Sequence, residues 1–168
     1  NYFYSMIITL FFGLVFTLKK KEEIKITVYE KILIVLLGYF LLPIFISIPY
    51  YLSIYNISFL DSYFESVSGF TSTGFTIFEN IKHIDASIIL WRSSSQWIGG
   101  LYFLFSIVFL IDIFDANLKK SLTHFLSFNS SEILKQFFKI LFFYSFLTFV
   151  IFLILSLSEI RLFNSFNL

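Results

Sequence analysis

Four long apolar stretches, residues 2–18, 27–52, 84–114 and 136–157, set the first limit on what this chain can fold into. A helix that crosses a hydrocarbon core needs roughly 20 apolar residues, and each stretch approaches or exceeds that length. Of 168 residues, 58% are hydrophobic, 23% aromatic and only 14% charged, too little polar surface to cover a soluble globule. A bilayer is the solvent this composition predicts. An all-α integral membrane fold follows, because a helix satisfies its own backbone polar groups where water is absent.

Basic residues orient the spans. Lys19, Lys20, Lys21, Lys25 and Lys31 fall between the first and second stretches or at the start of the second, and Lys119, Lys120, Lys135 and Lys139 between the third and fourth or at the start of the fourth. Lys82 and Arg161 flank the opposite ends. Short cytoplasmic loops collect Lys and Arg, so the second span is expected to run outward, the third inward and the fourth outward, with residues 53–83 at the outer face. Residues 1–18 lack the basic start and small-residue cleavage site of a signal peptide and are expected to be the end of a truncated span. With no cysteine, a disulfide framework and a thiolate metal site are both excluded. His83 and His124 have no Cys or carboxylate triad beside them, which argues against a metal site. A net charge of +1 gives no electrostatic footprint for nucleic acid. GxSxG, HExxH and P-loop sequences are missing and the carboxylates are scattered, so an enzyme is not expected.

The informative segment lies between the second and third spans. Ser58 and Asp61 suit a helix start, and Phe59, Tyr63, Phe64 and Val67 follow at helical spacing. A helix over 59–69 would be only ~16 Å long, about half a hydrocarbon core, which suits a re-entrant element. Irregular backbone at membrane depth is tolerated where it is buried in protein or lines a water-filled path, so a half-length helix followed by a Gly, Ser and Thr-rich turn points to a pore or cavity. A loop with an amphipathic helix lying in the interface is the alternative. The sequence ISFLDSY at 57–63, after the second span, is echoed by IRLFNSF at 160–166, after the fourth. That echo favours a repeated span, re-entrant helix, loop and span.

The loop reads FESVSGFTSTGFTIFENI, and the third span begins LWRSSSQWIGGL. Together they resemble the first repeat of the TrkH/KtrB/HKT superfamily of potassium transporters, whose repeats carry an SGFTTTGA-type filter followed by a WRSxxQWxGG element. The motifs cover residues 31–100, and the match extends by topology to Phe166. Ser72 stands where the family usually has Thr, and Phe75 where many members have a small residue. The resemblance implies a potassium-channel-like repeat over 27–114, with a helix at 27–52, a pore helix at 59–69, a filter at 71–76 and a helix at 84–114. A cytoplasmic linker at 115–134 and the start of a second repeat at 135–168 would follow.

By the same resemblance, the main-chain carbonyls of Ser72, Thr73, Gly74 and Phe75 are the ion ligands, with Gly74 as the filter glycine and Gly69, Thr71 and Thr76 flanking. Such carbonyls replace the water around a dehydrated cation, and the C-terminal end of the preceding helix favours positive charge there. K+ is the expected transported ion, with Na+ as a possible coupling ion. One repeat and part of another cannot enclose a pore, so the remaining three pore repeats of a full-length chain are implied, together with membrane lipid, a homodimer and a cytosolic nucleotide-binding regulatory ring. The expected location is the plasma membrane. A Na+-coupled or Na+-permeable transporter of the same superfamily is one alternative. Others are a carrier with broken helices and a non-conducting membrane sensor or scaffold.

Arg92, one of only two arginines, falls inside a span. An intramembrane charge is costly and is usually paired or faces water. We expect it to brace the short helix by pairing with Glu65, with snorkelling to water or lipid phosphate as the alternative. Gly99 and Gly100 allow a close helix approach or a kink, and Pro43 and Pro49 are expected to bend the second span.

Overall fold

The computed structural model describes residues 2–18, 27–53, 55–79, 84–114 and 133–157. These form five helices: α1 (Tyr2–Leu18), α2 (Val28–Tyr51), α3 (Phe59–Phe70), α4 (Ala86–Phe114) and α5 (Ile133–Leu157). Three of them contain segments long and apolar enough to cross a membrane: Val28–Tyr51, Ala86–Ile111 and Phe137–Leu157. The chain divides into two compact units, Asn1–Ile88 and Ile89–Leu168. The basic residues at 19–21, 25, 82, 119, 120 and 161, both histidines, most of the 115–134 linker and the second ISFLDSY-like copy at 160–166 lie outside the described residues.

In the first unit, α2 starts at a capping box. The Thr27 N–H donates to Glu30 Oε2 at 2.7 Å, and the Glu30 N–H donates to Thr27 Oγ1 at 3.4 Å. Two backbone donors that the first turn leaves without partners are thereby satisfied. Along α2 the buried residues Val35, Pro43, Ile46 and Tyr50 recur at helical spacing, while Leu33, Leu36, Phe40 and Leu41 are exposed. An apolar helix with one buried stripe and an apolar outer face suits a lipid surround. The stripe carries α3, with Tyr39 and Phe70 rings 5.7 Å apart and Tyr51 and Phe59 rings 6.3 Å apart. Close to Pro43, the Phe40 carbonyl accepts a bond from the Tyr63 hydroxyl at 3.1 Å, which pins the middle of α3 to α2. α1 meets α2 through Phe12 and Phe45 at 5.4 Å.

In the second unit, α4 and α5 meet through large side chains. The Trp97 and Tyr144 rings lie 5.1 Å apart, Trp97 Nε1 donates to Thr148 Oγ1 at 3.0 Å, and Phe105 contacts Phe137 at 5.7 Å. Gly100 lies against Tyr144: a Cβ built on it would sit 2.5 Å from the phenol oxygen. Gly100 therefore admits a neighbouring ring rather than a neighbouring backbone.

Candidate functional site

The site is built on α3. Ser58 caps its start: the Asp61 N–H donates to Ser58 Oγ at 3.2 Å, and Ser58 Oγ–H donates to Asp61 Oδ2 at 2.7 Å. From there α3 inverts the usual helix pattern. Its buried residues are mostly polar or small, Ser62, Glu65, Ser66, Ser68 and Gly69 together with Phe70, while Phe59, Leu60 and Phe64 are exposed. A helix with its polar side packed inward and its apolar side outward fits apolar surroundings.

The end of α3 is a Schellman motif. The Thr71 N–H donates to Val67 O at 2.9 Å, the Ser72 N–H to Gly69 O at 3.0 Å and the Thr73 N–H to Ser68 O at 3.1 Å. Thr71 reinforces the turn with its hydroxyl on Val67 O at 2.7 Å. The left-handed position that such a motif requires is held by Ser72, at φ +55. Gly69 is helical and buried, and it serves through its carbonyl. The second left-handed residue is Gly74, at φ +82, where glycine carries no Cβ penalty.

Beyond Gly74 the chain is fastened to buried α3 side chains. Ser68 Oγ donates to the Phe75 carbonyl at 2.6 Å. Glu65, fully buried, accepts from Thr76 Oγ1 at 3.1 Å and from the Ile77 N–H at 3.0 Å. The Phe78 N–H then closes on Thr76 Oγ1 at 3.2 Å. Further out, Tyr55 stacks edgewise on Phe78 at 6.1 Å and accepts the Asp85 N–H at 3.0 Å.

The loop therefore turns its amides inward and its surface outward. The N–H groups of Thr71, Ser72 and Thr73 all point back to α3 carbonyls, and residues 71–75 are exposed. Among the described residues, nothing donates to the carbonyl oxygens of Ser72 or Thr73. Carbonyls on exposed residues of a held turn, without a donor among the described residues, can serve as oxygen ligands for a cation. Phe75 differs, since its carbonyl already accepts from Ser68 while its ring is 69% exposed. No group of three or more His, Cys, Asp or Glu suited to a metal occurs among the described residues.

Of the residues singled out from sequence, Glu65, Gly69, Thr71, Ser72, Thr73, Gly74, Phe75 and Thr76 lie together in the first unit. Arg92 is half-buried on α4 in the second, and its carbonyl accepts from Ser95 Oγ at 2.7 Å. Sequence reasoning misses Ser68. Its signal there is only a position one turn before the loop, where a helix side chain can meet the backbone just past the helix end.

Residues 1–166 match the family described as TrkH, cation transport protein. An uncharacterized cation transporter of Methanocaldococcus jannaschii is 47% identical over 55 residues, 33% of this chain and 12% of that one. The Trk system potassium uptake protein TrkG of Escherichia coli is 30% identical over 83 residues, 49% of this chain and 17% of that one. The Trk system potassium uptake protein TrkI of Halomonas elongata is 40% identical over 57 residues, 34% of this chain and 12% of that one. The matches thus span 12% to 17% of the length of these relatives. No solved structure matches.

Proposed function

The chain belongs to the TrkH family of cation transport proteins, and on that footing we propose that it is part of the membrane subunit of a potassium-uptake transporter, with residues 71–76 as one share of its selectivity filter. The family is one of transporters, not enzymes, and Trk uptake proteins are plasma-membrane proteins, in keeping with the three helices here that are long enough to span. The observation that carries the proposal is the pair of carbonyls on the exposed residues Ser72 and Thr73, which accept no hydrogen bond among the described residues while the amides of Thr71, Ser72 and Thr73 are bound to α3.

The carbonyl oxygens of Ser72, Thr73, Gly74 and Phe75 replace water around a dehydrated K+. Gly69, Thr71 and Thr76 frame the turn, and Glu65 supports it by holding Thr76 and Ile77. One such loop supplies one sector of a cage. The rest comes from the three other pore repeats of the full-length protein, which acts as a homodimer in membrane lipid and docks a cytosolic nucleotide-binding ring.

The test is rubidium and sodium uptake by the full-length protein in liposomes, native and with Gly74→Ala or Gly74→Ser. Nothing lies within 4 Å of a Cβ at Gly74, so the cost of a side chain is the left-handed backbone alone, about 1–2 kcal/mol. We expect the K+ over Na+ ratio to change more than membrane abundance. An unchanged ratio in an intact protein refutes the filter. Equal passage of both ions makes the protein a Na+-permeable transporter, and no cation flux with intact folding makes it a sensor or scaffold.

A further inference from the structure

We propose, on the basis of the filter assignment, that Ser68 is the positioning residue that fixes the spacing between the two sides of the loop and thereby its discrimination among cations. Ser68 touches both sides of Gly74. On the near side its carbonyl accepts the Thr73 N–H at 3.1 Å and its hydroxyl accepts Thr73 Oγ1 at 3.2 Å. On the far side the same hydroxyl donates to the Phe75 carbonyl at 2.6 Å. The hydroxyls of Thr73 and Ser68 thus lead in sequence to the Phe75 carbonyl.

A hydroxyl is suited to this place because it accepts and donates at once, through one small group. Ser68 is 3% exposed, so its bonds form where water does not compete. Gly74 between them has left-handed backbone, at φ +82. The bonds from Ser68 thus act on the distance between the Thr73 and Phe75 backbones from one residue of α3. In a cage of carbonyls that distance decides which ion radius is accommodated.

The experiment compares S68A, S68T and T73V with native protein, full-length in liposomes, by rubidium and sodium uptake at matched abundance, with G74S as a reference. Ser68→Ala removes two hydroxyl hydrogen bonds and is expected to lower the K+ over Na+ ratio about five- to tenfold, while Ser68→Thr stays within about twofold. A serine with only a structural role would lower abundance or total flux and leave the ratio unchanged, and that result overturns the proposal. Should Ser68→Ala accumulate poorly, Thr73→Val reports the same bond from its exposed end: a fall in the ratio supports the proposal and an unchanged ratio overturns it. If G74S shifts the ratio and S68A does not, the role of Ser68 fails alone. If neither shifts it, the filter assignment fails with it.

Discussion

Between Glu65 and Phe78 the backbone is held by several hydrogen bonds from buried side chains, whereas α4 and α5 meet mainly through rings, Trp97 on Tyr144 at 5.1 Å and Phe105 on Phe137 at 5.7 Å, with one hydrogen bond from Trp97 to Thr148. Ring contacts are strong in sum but weakly directional, so a helix pair joined by them can shift without losing much. Hydrogen bonds lose strength quickly with angle and distance. The two kinds of contact suit two tasks. A segment whose carbonyls must stay in register gains from directional bonds, while spans that only need to stay associated do not require them.

The largest expected effect comes from breaking the first kind of contact at Glu65. Glu65→Ala leaves the Ile77 N–H and the Thr76 hydroxyl without their acceptor in a buried place, a cost of about 3 kcal/mol. Thermal unfolding in detergent and rubidium uptake should both fall sharply. Glu65→Gln keeps one acceptor oxygen and should retain a substantial part of both.

A smaller effect is expected from the ring-packed pair. A Cβ at Gly100 meets Tyr144 at the tip of its side chain, which can swing away, so Gly100→Ala should cost about 1 kcal/mol. Removing the phenol oxygen with Tyr144→Phe should restore most of the stability, and ion discrimination should stay native throughout. A change in the K+ over Na+ ratio in Gly100→Ala would break the contrast between the two regions. The smallest effect is expected at the α2 capping box, where Thr27→Ala removes an exposed cap worth ~1 kcal/mol. Its melting point should drop slightly with uptake unchanged.

Several of these features are legible in the sequence. Apolar length alone locates α2, α4 and α5, because a spanning helix leaves a long uninterrupted hydrophobic run. Ser58 is readable as a cap, since a hydroxyl followed three residues later by a carboxylate at the head of a short helix has few other uses. Gly74 stands out from the motif around it. The turn at Ser72 is not legible, because a left-handed residue is ordinarily glycine. The hold of Glu65 on Thr76 and Ile77 is not legible either, because a hydroxyl and a backbone amide carry no charge to announce them. Ser68 is hidden for the same reason: a serine among serines gives no sign that its hydroxyl bridges two backbone segments.

The Schellman motif at the end of α3 also determines how this region tolerates insertion and deletion. Each residue added to a helix rotates the chain beyond it by about 100° and advances it by about 1.5 Å. The bonds from Thr71, Ser72 and Thr73 lock the loop to the final carbonyls of the 12-residue α3, so the loop would swing as one body with the helix end. Inserted between Glu65 and Ser68, a residue would turn the Glu65 carboxyl away from the Thr76 and Ile77 groups it holds. The length of α3 is consequently constrained to the residue by the loop it delivers.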